Sequence, residues 1–285
     1  MADVVVPPHW TNITQAYYPT VKRDSWYSSV AQTYDRVRPR YPQGCIQQAL
    51  DWANLSPGSH ILELGCGPGI ASLAFAELGF HLTCLEPSKT ACEIAQAQCR
   101  KFSHVEIINT TFEAWSGLEQ SFDAVLAATS FHWLDPAIRC QKTAELLVPH
   151  GPLILLWNVP PQPHPDVFVT MTPIYREFAL HLGQYEEAEQ HLVAMDILKG
   201  HILDSGYFED FQTHTQAWQI TYSVVDYLAL LGTLSPYIVL AADQRETLFR
   251  ELEKSLTQAW GDTLTLDCLT GVQVTHKKTA IPGQT

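Results

Sequence analysis

From residue 60 onward, short apolar runs alternate with amphipathic stretches. Ile61–Leu64, His81–Leu85, Val105–Ile108, Phe122–Ala127 and Leu153–Trp157 are mostly apolar and of strand length. Strands buried on both faces read this way. Ile70–Glu77, Lys89–Lys101 and Pro136–Leu147 fall between them with helical patterning. The alternation predicts βαβ units and a mostly parallel sheet. Upstream, Ser25–Asp35 reads as a short helix stopped by Arg38-Pro39-Arg40-Tyr41-Pro42, and Gln43–Ala53 as a second helix before the Pro57-Gly58 turn.

After Trp157 the regularity breaks. Pro160, Pro161, Pro163 and Pro165 crowd one loop. Helices are expected at Val167–Leu182, Glu186–Leu198, Val224–Leu231 and Asp243–Trp260, and β-rich stretches at Phe208–Tyr222 and Thr263–Thr275. The late strands should extend the sheet and the helices cap its edge. The expected organisation is an arm over 1–24, an α/β core with its N-terminal helices over 25–158, and cap helices with the final strands over 159–285 in the same overall domain.

Composition narrows the function. The chain has 285 residues, 46% of them hydrophobic, enough for one large core. The net charge of −13 argues against a nucleic-acid partner, because a phosphate backbone is repelled. No apolar run reaches membrane-span length, and Met1–Pro8 lacks the pattern of a signal peptide. The seven cysteines contain no C-x-x-C pair, so neither a zinc site nor a disulfide framework is expected, and a reducing cytoplasm is the predicted setting.

The chemistry concentrates at Glu63-Leu64-Gly65-Cys66-Gly67-Pro68-Gly69, which follows the first core strand and opens a helix. Glycines there let the backbone turn sharply and approach a ligand. The nicotinamide fingerprint would place a glycine at Ile70, and the P-loop ending G-K-[ST] is absent. Glu86 ends the second strand, 21 residues after Gly65. A carboxylate there suits a pair of ribose hydroxyls; alternatively it caps the helix that begins near Ser88.

With Leu85-Glu86-Pro87-Ser88, the glycine loop resembles the hallmark of class I S-adenosylmethionine-dependent methyltransferases. Tyr34-Asp35-Arg36-Val37-Arg38-Pro39-Arg40-Tyr41-Pro42, Phe122-Asp123-Ala124-Val125 and Ser130-Phe131-His132-Trp133 resemble a small-molecule branch that includes the trans-aconitate and cantharidin methyltransferases. The resemblance spans residues 25–158 and extends more loosely to Phe208–Tyr237. It implies a Rossmann-like α/β sheet, mostly parallel with the last strand antiparallel, carrying helical cap insertions. It implies S-adenosyl-L-methionine as cofactor, S-adenosyl-L-homocysteine as product, and no metal.

Roles follow from the same resemblance. Gly65 and Gly67 would pass the methionine part of the cofactor, with Glu63 beneath its ammonium. Glu86, followed by Pro87, would hold the ribose. Thr111, Phe112 and Glu113 would bracket the adenine, and Ala128 and Ser130 would line the methionine side. Tyr34 and Arg38 would close over the cofactor, Arg38 facing its carboxylate.

Methyl transfer needs a nucleophile aligned about 3 Å behind the methyl carbon, in a dry pocket. His132 is the candidate general base or, alternatively, a wall without proton chemistry. As a base it would make activity rise with pH near an ordinary imidazole pKa. Trp26, Tyr27, Trp133, Trp157, Asn158 and Tyr237 are candidates for the acceptor pocket. The expected acceptor is an oxygen or nitrogen of a small molecule, such as a secondary metabolite. Arg36, Arg38 and Arg40 would favour a carboxylate and hence an ester. A cofactor-binding protein without turnover is the reading from a different class. A DNA amino-methylating enzyme is disfavoured, since neither N-P-P-Y nor D-P-P-Y follows the fourth strand.

Overall fold

The computed structural model describes residues 27–279. Strands β1 (His60–Leu64), β2 (His81–Glu86), β3 (Val105–Asn109), β4 (Ala124–Ala128), β5 (Pro152–Asn158), β6 (Gln162–Pro163), β7 (Phe208–Ser223) and β8 (Thr263–Lys277) form one eight-stranded sheet. Its order is β3-β2-β1-β4-β5-β8-β6, with β7 on the other side of β8. Strands β1 to β5 pair in parallel. Strand β8 pairs antiparallel with β5, β6 and β7, so the last strand alone runs against the rest. The α/β sheet expected from the alternating pattern is present.

Successive residues of a buried strand face opposite ways. Ile61 accordingly enters the upper core with Cys45, Ile46 and Ala49 of α2 (Gln43–Ala53) and Phe75 of α3 (Ile70–Glu77). Leu62 and Leu64 enter the lower core with Ala144 of α5 (Arg139–Leu146) and Leu198 and Ile202 of α7 (Ala188–Asp204). Helix α4 (Lys89–Cys99) starts at Ser88, whose hydroxyl accepts from the Ala91 N–H at 3.3 Å. Helix α1 (Ala31–Val37) precedes α2 and follows a 3₁₀ turn at Ser28–Val30.

The cap has a third core of its own. It joins α6 (Pro165–Phe178), α8 (Val224–Leu231), the short α9 (Ser235–Ile238) and α10 (Ala242–Trp260). Leu248, Leu252 and Leu256 of α10 lie four apart and are all fully buried, one apolar stripe on an otherwise polar helix. No helix among the described residues is long and apolar enough to cross a membrane.

Several boundaries differ from the sequence pattern. The helix expected from Pro136 begins only at Arg139, because Asp135 first closes a turn with its carboxylate on the Ala137 N–H. The stretch expected as helix to Leu182 ends at Phe178 and finishes as a 3₁₀ turn over Leu180–Leu182. Helix α7 runs past Leu198 to Asp204. Strand β6 and helix α9 carry no pattern of their own length.

A candidate cofactor and acceptor site at the carboxyl edge of the sheet

The turn after β1 is held against β2: the N–H groups of Gly65 and Cys66 both donate to the Leu85 carbonyl, at 2.8 and 3.1 Å. Gly65 and Gly67 have φ of 67° and 56°. A Cβ at Gly65 would stand 2.9 Å from Cβ of Ser130, and one at Gly67 would stand 3.4 Å from the Tyr27 hydroxyl. Glycine is therefore required sterically at Gly65, and Gly67 keeps a narrow space open beneath Tyr27. Ser130 is tied to this turn by its hydroxyl, which donates to the Leu64 carbonyl.

Glu86 is buried, 5% exposed. Its two oxygens accept separately from the backbone N–H of Gly67 and of Ser88, each at 2.8 Å. Burial raises its pKa, and these two hydrogen bonds oppose the rise. The helix cap itself is Ser88; Glu86 joins the turns after β1 and β2. An ionised carboxylate has about four lone-pair positions, so capacity remains for a vicinal diol.

Glu63 is fully buried on β1. One oxygen accepts from the Ser72 hydroxyl at 2.5 Å and from the Cys84 thiol at 3.5 Å. The other oxygen, Oε1, is buried with no hydrogen-bond partner. Burial pushes the pKa up to about 7, against the lowering pull of Ser72 and Cys84. A buried carboxylate with an orphaned oxygen is costly to leave unmet, and a cation or donor beside it would relieve that cost.

The segment before α2 roofs the glycine turn. Tyr27 and Tyr34 meet edge to face at 5.0 Å, and the Arg38 guanidinium stands 4.7 Å above the Tyr34 ring. Ser28 and Ser88 share a hydroxyl hydrogen bond of 2.8 Å. The roof is strapped to the cap. Arg38 donates from Nε and Nη2 to the hydroxyl and carbonyl of Thr233, Arg36 pairs with Asp226, and Tyr222 donates to the Val37 carbonyl.

These contacts correct three expectations. Tyr27 stands over Gly67 rather than on an acceptor wall. Arg38 donates to Thr233, because the end of α8 brings that residue directly beside it. The three arginines do not form an anion-reading group: Arg36 pairs with Asp226, and Arg40 pairs with Asp35 at 2.9 Å.

At the ends of β4 and β5 the structure adds residues that the sequence reading missed. Thr129 has φ of 56°, an unusual value for a β-branched residue. Its hydroxyl oxygen pairs with the Tyr41 hydroxyl at 2.9 Å and accepts from the Asn158 N–H at 3.2 Å. Burial pushes the Tyr41 pKa well up. Asn158 donates to the Pro39 carbonyl at 2.9 Å and accepts from Thr270 at 2.7 Å, so its amide is a structural tie rather than an open pocket group. Ala128 packs, half-buried, against the upper core.

Other pocket candidates separate in space. Trp157 points into the lower core and donates to Gln273 at 3.0 Å, because alternation along β5 sends it away from the Asn158 side. Tyr237 lies in the cap core, sharing a 2.6 Å hydrogen bond with Tyr175. Trp26 falls outside the described residues. His132 packs against two rings, Trp133 at 4.9 Å and Trp157 at 5.5 Å. Both its nitrogens are buried, and burial, helped by the Arg139 cation, pushes its pKa down to about 3. The ring is thus neutral across the ordinary pH range, and the expected activity rise near a normal imidazole pKa is corrected accordingly.

The turn after β3 adjoins Glu86: Asn109 donates to the carbonyls of Glu86 and Pro87 at 2.9 and 3.0 Å. The Thr111 hydroxyl accepts from the Ala114 N–H at 3.1 Å. The Phe112 ring is buried in the lower core, 3% exposed, so only its backbone is available to border a ligand. Glu113 accepts from the Asp135 N–H at 3.1 Å, which ties the loop down rather than aiming the carboxylate at a base.

Residues 61–151, which hold the glycine turn, Glu86 and the ends of β3 and β4, match the methyltransferase domain family. That segment is similar to methyltransferase domains. An uncharacterized methyltransferase of Mycobacterium tuberculosis is 31% identical over 132 residues, 46% of this chain and 51% of the relative. The chain thus spans about half the length of the curated relatives it matches first. A structure described as a type II methyltransferase of Anaeromyxobacter dehalogenans superposes with a TM-score of 0.59 at 20% identity, covering 83% of this chain and 97% of that one. A Haemonchus contortus phosphoethanolamine N-methyltransferase, solved with S-adenosylhomocysteine, has the same fold, with a TM-score of 0.52 at 13% identity over 91% of this chain and 61% of that one. The sheet is the fold this chain shares with both solved structures.

Proposed function

We propose that this methyltransferase domain uses S-adenosylmethionine to methylate oxygen or nitrogen of a small molecule. The observation that carries the reading is the pair of buried carboxylates flanking one glycine turn. The orphaned Oε1 of Glu63 fits the ammonium of the methionine part, and Glu86 fits the ribose diol. Gly65 and Gly67 keep the backbone open between them, and Ser130 borders the same turn. The S-adenosylhomocysteine complex of the Haemonchus fold relative supports the same cofactor class.

The sulfonium, when bound, supplies an activated methyl group and a neutral leaving group. The protein's own work is then positioning and exclusion of water. Tyr27 and Tyr34 roof the turn, and the straps to Thr233 and Asp226 hold that roof against the cap. Trp133 and His132 border the region after β4. A neutral His132 ring has the form that accepts a proton, although its low pKa makes it a weak base. The net charge of −13 supports a small acceptor over nucleic acid. With the arginines engaged by protein partners, a neutral or amine acceptor is favoured over a carboxylate.

The test is incubation of the full chain with methyl-labelled S-adenosylmethionine and a fractionated metabolite extract, followed by mass spectrometry. The proposal expects a small molecule that gains one labelled methyl group. S-adenosylhomocysteine binding with no labelled product from any fraction would support the binding-only reading instead.

A further inference from the structure

Helix α5 carries a cation with no carboxylate within ion-pair distance among the described residues. Lys142 Nζ donates to the carbonyls of Phe112 and Trp115, both at 2.6 Å, and of Glu113 at 3.2 Å. An ammonium has three donor positions, and three carbonyls of one turn meet them. The same ammonium stands 4.9 Å from the Phe112 ring centroid. Hydrogen bonds from a charged donor are stronger than neutral ones. The turn is also closed internally by the Trp115 N–H on the Thr111 carbonyl, and tied to the next loop by Glu113 on Asp135. Lys142 is thus the post on which residues 111–115 are wound.

The position of this turn gives the post a functional meaning. Strands β1, β2 and β3 are consecutive in the sheet, so their carboxyl ends present Glu63, Glu86 and the 110–115 turn in a row. A ligand whose amino-acid end meets Glu63 and whose sugar meets Glu86 must carry its base toward β3. Asn109 already joins that turn to the backbone of Glu86 and Pro87. We propose that Lys142 is a positioning residue that fixes the wall against which the purine of the cofactor is read. The inference rests on the function proposed above.

The experiment uses the full chain and the variants Lys142→Met and Lys142→Arg, titrated by calorimetry with S-adenosylhomocysteine and with S-inosylhomocysteine, which differs only in the base. Lys142→Met is expected to bind S-adenosylhomocysteine about tenfold more weakly, the scale of one charge-assisted hydrogen bond. Its preference for adenine over hypoxanthine should shrink toward one, and amide exchange at 111–115 should quicken while β1 and β4 stay protected. Lys142→Arg, which keeps a charged donor, should restore most of the preference. Equal loss for both ligands would mean a general loss of fold and would overturn the proposal, as would an unchanged preference in a folded Lys142→Met. If Lys142→Met does not fold, Lys142→Gln is read in its place by the same criteria. Failure of the unaltered chain to bind S-adenosylhomocysteine would overturn the cofactor reading itself, a separate result.

Discussion

The carboxyl edge of the sheet and the interior of the cap both bury polar groups, and they treat them in opposite ways. In the cap the Tyr175 and Tyr237 hydroxyls satisfy each other at 2.6 Å, and Tyr227 meets the Met171 sulfur. Apolar side chains of α6, α8 and α10 fill the surroundings. At the edge, Glu63 keeps one buried oxygen without a partner, and Glu86 spends its carboxylate on two backbone turns. Non-glycine backbone strain is also present there, at Thr129. A packed interior minimises such costs; a binding site retains them until its ligand arrives. Under the function proposed above, stability is expected of the cap and recognition of the edge.

The largest effect that would sharpen this contrast is expected from Gly67→Asp. Aspartate tolerates positive φ better than most residues, so the fold should survive. Its side chain would occupy the space under Tyr27 and repel Glu86. S-adenosylhomocysteine binding should fall more than about 100-fold, or about 3 kcal/mol, with an unchanged circular dichroism spectrum. Normal binding would mean that the ligand lies elsewhere. Leu252→Ala in the cap core is the counterpart. It should cost about 2–5 kcal/mol of stability in chemical denaturation, and cofactor affinity should hold well below the melting transition. A selective loss of binding in that variant would break the division between edge and cap.

Glu86→Ala is expected to weaken S-adenosylhomocysteine binding by about 1.5–3 kcal/mol, the range for hydrogen bonds to a charged group. Equal affinity would leave Glu86 as a tie between two turns. The smallest effect is Tyr237→Phe, about 1–3 kcal/mol of stability because it leaves the buried Tyr175 hydroxyl without this partner, with binding untouched. Denaturation curves with and without ligand separate these outcomes.

The core was largely legible because a doubly buried parallel strand has to be a short apolar run, and a helix beside it has to show one apolar stripe. Glu63, the glycine turn and Glu86 were visible because a single turn brings them together within 24 residues of sequence. The remainder depends on contacts that no local pattern encodes. Tyr41 meets Thr129 across 88 positions, and Arg38 meets Thr233 across 195. Lys142 has no sequence signal that separates it from a helix-surface lysine; its contacts depend on where the 111–115 turn folds. Trp157 and Asn158 are adjacent on one strand, so alternation alone sends their side chains to opposite faces.

The central claim is that the unmet Glu63 oxygen awaits the cation of a bound cofactor, and pH tests it. The folded-state pKa is about 7, above the ordinary 4.5, so the folded ligand-free chain holds a proton that the unfolded chain releases. Its stability should therefore fall as pH rises from about 4.5 through about 7, and Glu63→Gln should flatten that slope. Ammonium binding favours the ionised carboxylate. The deciding measurement is calorimetric titration with S-adenosylhomocysteine at pH 6 and pH 8. The account predicts affinity of micromolar order, about −8 kcal/mol, that tightens between the two pH values in the unaltered chain and not in Glu63→Gln. Binding that ignores pH in both proteins, or no binding at all, would contradict it.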